Sequence, residues 1–267
     1  MKLRLYLPTK NNEMTQFILK VGIELMKNIV ITGGSSGVGL AIAKDLAVDN
    51  NIVIVGRNLA KAMRVKKQSG SHVNVVVGDL SQHSGVKAVI SGIENLVSHV
   101  DVLIHCAGIV PKTATDNINY NLLSHYYLTL GLSDMLHEGR VLIVTGNPLA
   151  VKRIPISENQ SHALSRAAWL LTHKTLLMYF LAEKLKNQQT TVNSFYPGDV
   201  RSNLMPYTQT LQNTEVPVGK YLATSTDVVG ITANFFDQQG NPVLLKSNKY
   251  QFENAEKIIG RYLEQPI

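Results

Sequence analysis

The chain is expected to fold as one α/β domain, a doubly wound parallel sheet of about seven strands with helices on both faces. Three observations lead there. From Lys27 onward, short β-branched runs alternate with helix-length stretches. Most of these runs are continuously apolar, the pattern of strands buried on both faces in a parallel sheet with right-handed crossovers. A glycine-rich turn joins the first run to the first helix.

The expected strands are Asn28–Thr32, Ile52–Val55, Val73–Val77, Val102–Cys106, Val141–Thr145, Thr191–Tyr196 and, from a weaker pattern, Val243–Leu245. Helix-length stretches separate them: Gly39–Val48, Ser84–Ser98, Ile118–Leu136 and Ser161–Asn187. Thr226–Gln238 reads as a capped helix and Tyr250–Gln265 as a terminal one. No linker-like composition divides the chain, so 26–267 is expected to form one domain. Met26-Lys27-Asn28 runs directly into the first strand, which leaves 1–25 as an added arm or an over-long reading frame.

With 267 residues, 45% hydrophobic and 17% charged, the composition is that of a globular chain with a substantial core. No apolar run is long enough to span a membrane. The apolar segment 17–26 is broken by Lys20 and Glu24 and lacks a small-residue cleavage site, unlike a signal peptide. Cys106 is the only cysteine, so no internal disulfide forms and a cytoplasmic location is expected. The net charge of +7 is scattered. Its densest cluster, Lys61, Arg64, Lys66 and Lys67, reads as a solvated helix face and lacks the interleaved aromatics of a nucleic-acid footprint. His105, His125 and His173 have no metal-ligand spacing, and no metal site is expected.

Thr32-Gly33-Gly34-Ser35-Ser36-Gly37-Val38-Gly39 has the strand before it and the helix after it that a pyrophosphate site requires. Glycines let the backbone turn sharply and approach the phosphates, while the helix start offers free N–H groups and a positive dipole end. The octet is similar to the TGxxxGxG motif of the short-chain dehydrogenase/reductase family, a Rossmann-fold family that the chain resembles from about Met26 to its end. Further similarities follow in the family's order. Asp79-Leu80 corresponds to the adenine contact, and His105-Cys106-Ala107-Gly108 resembles a variant of NNAG. Asn121 lies in a stretch like the helix that carries the family's structural or catalytic Asn. Tyr196-Pro197-Gly198-Asp199-Val200-Arg201-Ser202 resembles the PGxVxT segment that wraps the nicotinamide. The resemblance implies cofactor contacts from Gly33, Ser35, Ser36, Gly37, Val38, Gly39, Asp79, Leu80, Cys106, Ala107, Gly108, Pro197 and Gly198. It also implies a lid over the substrate at 201–224, where Leu204, Met205, Tyr207 and Leu211 suggest an apolar surface, and a homodimer or homotetramer paired through long central helices.

Cofactor choice turns on the end of the second strand. An acidic residue there would accept hydrogen bonds from ribose hydroxyls and repel a 2′-phosphate. Here Gly56-Arg57-Asn58 stands instead. A guanidinium suits phosphate geometry, so Arg57 and Asn58 point to NADP(H) over NAD(H).

The resemblance weakens at the catalytic set. The family uses a Ser after the fifth strand, a Tyr and a Lys four residues on, and the helix Asn. Ser165-Arg166-Ala167-Ala168, similar to the family's SKAA, fixes the register and places His162 at the Tyr position and Arg166 at the Lys position. No tyrosine lies between Tyr127 and Tyr179, so a small slip restores nothing. Gly146 falls at the catalytic Ser. Thr145 beside it keeps a hydroxyl but substitutes only if the strand end twists or the register slips by one.

His162 is read either as an acid–base group or as a cap at the helix start. Its reach is shorter than a phenol's by roughly 2 Å, and a misplacement of about 1 Å can cost on the order of 100-fold. Arg166 retains donors suited to ribose hydroxyls. Asn121 is read equally as a catalytic member and as a bonder of backbone carbonyls. The sequence thus leads to an NADP(H)-dependent oxidoreductase acting on a small alcohol or carbonyl through an altered set of His162, Arg166, Asn121 and Thr145. The alternative is a catalytically impaired NADP(H)-binding protein with a regulatory or assembly role.

Overall fold

The computed structural model describes residues 26–263. The expected extension 1–25 and the end of the expected terminal helix lie outside the described residues. Within them, β1 (Asn28–Thr32), β2 (Asn51–Gly56), β3 (Val73–Val77), β4 (Val102–His105), β5 (Arg140–Val144), β6 (Thr191–Phe195) and β7 (Phe235–Phe236) form a single sheet. All neighbours pair parallel in the order β3-β2-β1-β4-β5-β6-β7. The chain is therefore a doubly wound α/β domain whose strand order reverses between β1 and β4. In an open parallel sheet, ligands bind in the crevice outside the strands' C-terminal ends at such a reversal.

Helices α1 (Gly37–Leu46), α2 (Leu59–Ser69) and α9 (Pro217–Thr224) cover one face of the sheet through Ile42, Leu46, Ala62, Val65, Val218 and Leu222. The other face carries α3 (His83–Glu94), α5 (Ser124–Gly131), α7 (Ala163–Lys184) and α10 (Phe252–Leu263). Val86, Val89, Leu128, Leu177, Ala255 and Ile259 pack there. Alternation along β5 shows both layers, with Val141 and Ile143 facing α7 and Leu142 facing the α1 side.

Several expectations need correction. The seventh strand is Phe235–Phe236 instead of Val243–Leu245. Both phenylalanines are buried, one on each face, whereas Leu244 is 89% exposed. Pro242, with no N–H to donate, begins the segment that returns alongside β7. Within Thr226–Gln238 the helical part is only the short 3₁₀ turn Thr226–Val228, because Gly230 and Ala233 adopt positive φ before the chain enters β7. The expected helix Ile118–Leu136 begins earlier and is segmented. Thr113 caps α4 (Ala114–Ile118), a π-helical turn follows at Asn119–Leu123, then α5, then a 3₁₀ turn at Ser133–Leu136.

The region 201–224 divides in two. Its second half is α9, where a Cβ on Gly219 would stand 2.7 Å from Ile42, so this helix belongs to the core. The expected long helix Ser161–Asn187 is present as α7. Every residue from Thr172 to Met178 is buried within the single chain, where α10 lies against the helix through Tyr262 on Trp169, and Tyr250, just before α10, stacks on Tyr179. No helix among the described residues is long and apolar enough to cross a membrane.

Candidate active site

The turn between β1 and α1 sits in the crevice at the reversal of strand order. Gly33 (φ 69°) and Gly37 (φ 51°) adopt the left-handed conformation that side chains disfavour. A Cβ on Gly33 would meet the Ala107 backbone at 3.0 Å, and one on Gly39 the Gly33 carbonyl oxygen at 2.6 Å. Both glycines are therefore required by close approach. Ser36 precedes α1 without a side-chain cap, and no acidic residue occupies the first turn. Ser35 and Val38 complete the turn half-buried, with Ser36 exposed. The free amides and the positive helix end are thus left to a ligand, and the cradle fits a pyrophosphate.

The strand exits are tied to this turn. Thr32 Oγ1 accepts from the Cys106 and Ala107 amides at 3.1 and 3.0 Å, locking the end of β4 to the end of β1. Asp79 Oδ1 accepts from the Ser81 amide and hydroxyl, which shapes the β3 exit, while Leu80 packs on the core. Arg57 is at the β2 exit, exposed, with its guanidinium 5.2 Å from the Tyr120 ring centre. Asn58 Oδ1 accepts from the Lys61 amide at 2.9 Å and caps α2. Pro197 is buried, and Gly198 (φ 85°) turns the chain after β6 beside Gln238. The following segment returns to the glycine turn: a Cβ on Gly37 would stand 2.9 Å from Ser202 Cβ.

The residues around the expected catalytic set form two groups. Asn121, buried in the π-helical turn, accepts from the Ile109 amide at 3.0 Å and donates to the Ile109 carbonyl at 3.1 Å and to Asn117 Oδ1 at 3.0 Å. Asn117 in turn donates to Gln160 Oε1 and to the Arg166 carbonyl. Arg166 donates from Nε to the Pro111 carbonyl at 3.0 Å and from Nη1 to the Gln160 carbonyl at 3.3 Å. This network clamps the β4 exit, where a Cβ on Gly108 would meet Asn121 Oδ1 at 3.1 Å, to the start of α7. Asn117 was not singled out in the sequence, although its spacing of four from Asn121 on a helix was a usable signal.

His162 is exposed and is the N-cap of α7. Its Nδ1 accepts from the Ser165 amide at 3.2 Å, while Ser165 Oγ accepts from the His162 amide at 3.0 Å, a reciprocal capping box. The β5 exit completes the second group. Continuing the alternation beyond Val144 carries Thr145 to the α7 side, where its buried Oγ1 has no partner among the described residues. A Cβ on Gly146 would stand 2.1 Å from Leu171 Cδ2, so the leucine fills the place of a side chain there.

Beneath the β4 exit lies a cluster outside the expected set. His105 Nε2 is 2.8 Å from Thr129 Oγ1, and its ring is 4.5 Å from that of His125. Burial, helped by the Lys174 cation, pushes His105 down to about 3. Burial lowers Lys174 to about 8, with Cys106 opposing, and raises the Cys106 thiol to about 12. A thiol so raised is an inert structural group. No group of three or more His, Cys, Asp or Glu side chains among the described residues is placed to hold a metal ion.

A family model described as short chain dehydrogenase matches residues 27–212. The chain is similar to the WW domain-containing oxidoreductase of Drosophila melanogaster, 24% identical over 252 residues covering 79% of this chain and 61% of that protein. It is 29% identical over 199 residues to human retinol dehydrogenase 11, covering 67% and 63%. The chain thus spans less than two thirds of the length of these relatives. Among solved structures, a 3-ketoacyl-(acyl-carrier-protein) reductase from Brucella melitensis complexed with NADH matches with a TM-score of 0.63 at 21% identity, over 79% of this chain and 96% of that one. The Pseudomonas aeruginosa RhlG/NADP active-site complex matches at 0.64 and 18% identity, over 79% and 94%. These likenesses concern the fold.

Proposed function

The chain belongs to the short-chain dehydrogenase family, and from that membership we propose that it is an oxidoreductase using a nicotinamide cofactor, NADP(H) before NAD(H), on a small alcohol or carbonyl. The observation that carries this reading is the glycine cradle at the reversal of strand order, whose tight backbone approaches leave the α1 amides to an anionic ligand. When bound, the cofactor supplies or accepts the hydride. The chain's own residues bind and orient. Gly33 to Gly39 hold the pyrophosphate, with Asp79, Leu80 and the segment 106–108 along the adenosine side. Pro197 and Gly198 border the nicotinamide. Arg57, exposed and with no carboxylate partner among the described residues, meets the 2′-phosphate with Asn58 beside it.

A charge-assisted contact of this kind contributes about 1.5–3 kcal/mol, so Arg57→Ala should weaken NADP⁺ binding by about 10–100-fold and leave NAD⁺ nearly unchanged. Calorimetry with both cofactors tests the preference, and equal losses for the two would refute it. Reduction of a carbonyl panel, followed by loss of NADPH absorbance, tests the activity.

A second reading is a cofactor-binding protein without turnover, and three observations favour it. The His162 imidazole serves as a cap, the Arg166 guanidinium is spent on two carbonyls, and Leu171 fills the space beside Gly146. Tight binding with no reduction of any carbonyl would establish it.

A further inference from the structure

We propose that Tyr196, at the exit of β6, is the proton-donating catalytic residue of this site and stands in for the phenol missing at position 162. This rests on the oxidoreductase reading above. Strand register places the residue. Val144 pairs with Phe195, and the Thr145 amide donates to the Phe195 carbonyl, so Tyr196 lies beside Thr145 and Gly146 at the strand ends. Phe195 belongs to the core on the α1 side, while Tyr196 packs on the core of the α7 side. The phenol is therefore on the face of the sheet where α7 begins and where a Gly146 side chain would point.

Its hydroxyl is not buried as an inert group. It donates to Asp199 Oδ1 at 2.9 Å and adjoins the side-chain amide of Asn147, the residue after Gly146. Asp199 is exposed, so the hydroxyl is linked to solvent through a carboxylate. Tyr207, from the short helix α8 (Pro206–Gln209), is the other titratable group facing it. Among the described tyrosines, Tyr120 is engaged by Arg57, Tyr250 donates to the Val151 carbonyl of α6 (Pro148–Arg153), and Tyr262 accepts from Trp169 on α7. Tyr196 brings its phenol to the joint exit of β5 and β6, beside the Thr145 hydroxyl.

The step balances as follows. As a hydride reaches the carbonyl carbon, the C=O π pair moves onto oxygen, which takes the Tyr196 proton. The Asn147 amide steadies the phenolate, and water returns a proton by way of Asp199. One proton is consumed for each alcohol formed. Burial, reinforced by Asp199, pushes the phenol up to about 12, so it carries its proton at neutral pH and is a weaker acid than a free phenol, yet still a stronger one than the alcohol that receives the proton.

The test uses the full chain carrying Tyr196→Phe, His162→Asn or Asp199→Asn. Tyr196→Phe should lower kcat for carbonyl reduction by about 100-fold or more while cofactor Kd stays within about twofold. His162→Asn, which keeps the cap, separates the two candidate donors: a kcat loss as large as that of Tyr196→Phe would return the role to His162 and overturn this assignment. A separate readout is the ultraviolet difference titration of phenol ionisation, wild type minus Tyr196→Phe. Its midpoint should fall in Asp199→Asn and shift when the oxidised cofactor is added. Turnover retained in Tyr196→Phe, or a phenol midpoint indifferent to the cofactor, overturns this assignment and spares the oxidoreductase reading. A wild-type chain that binds cofactor but reduces no carbonyl overturns both.

Discussion

Leu171 Cδ2 stands 2.1 Å from where a Cβ on Gly146 would lie, so a side chain of α7 fills the space beside the position that the resemblance aligns with the family's serine. Restoring that serine alone therefore forces the leucine to move. Gly146→Ser should destabilise the fold by about 1 kcal/mol, the low end of the cost of overpacking, because the contact is with the end of a flexible, half-buried leucine. Leu171→Ala in the same chain should recover most of that cost, because the two side chains compete for one space. Urea midpoints of the two single variants and the double variant test this; additive losses would show that the positions are independent.

His162 bears on α7 in a different way. Its imidazole satisfies a backbone amide at the first turn, and Ser165 returns the bond. His162→Ala should cost about 1 kcal/mol, and His162→Asn a few tenths at most. Replacement by tyrosine removes the acceptor at Nδ1 and should cost as much as alanine. It should not raise carbonyl reduction by itself while Leu171 fills the space beside Gly146. Thermal unfolding of the three variants orders them, and a His162→Asn variant as unstable as His162→Ala would contradict the capping role.

Much of the fold was legible because parallel strands are marked by burial on both faces, and β1 to β6 needed little more. β7 was missed because two residues are too short for a periodic signal, and the apolar run after Pro242 imitates a strand. The glycine cradle was legible as a motif with its context. The rest of the site was not, because its determinants are contacts between distant segments. Nothing near Gly146 in sequence announces Leu171, twenty-five positions on. Nothing near Arg166 shows that Pro111 and Gln160 take its donors. Tyr196 was visible only as the residue before Pro197-Gly198, since its partner Asn147 belongs to another strand exit.

The burial of α7 within one chain leads to a prediction about assembly. Thr172 to Met178 has no exposed residue, and Tyr250, Ala255, Ile259 and Tyr262 of the C-terminal region lie against that helix or within the same core. A dimer paired through α7 would have to displace α10. The chain should therefore sediment as a monomer at micromolar concentration. A dimer that persists after Tyr262→Glu, which disrupts the α10 seat, would show that pairing uses another surface.

Acid stability follows from His105 and His125, both buried and close enough for their rings to touch. Burial lowers His105 from 6.5 to about 3 and His125 well below 6.5, with the Lys174 cation adding to both. Above pH 6.5 each is neutral folded and unfolded, so neither affects stability. As pH falls from 6.5 toward 3, the unfolded chain takes up protons that the folded chain refuses, and stability drops. For His105 the loss amounts to about 2 kcal/mol by about pH 5. The carboxylates act lower: Glu158, held down to about 2 chiefly by the His173 imidazole 3.6 Å away, loses its contribution only from about 4.5 downward. The interval between about pH 6.5 and 4.5 therefore isolates the histidines. Urea unfolding should show a steep decline across it, made shallower by His105→Asn and shallower again by adding His125→Asn. A stability that is flat over that interval in the wild-type chain would mean that the pair is not held neutral.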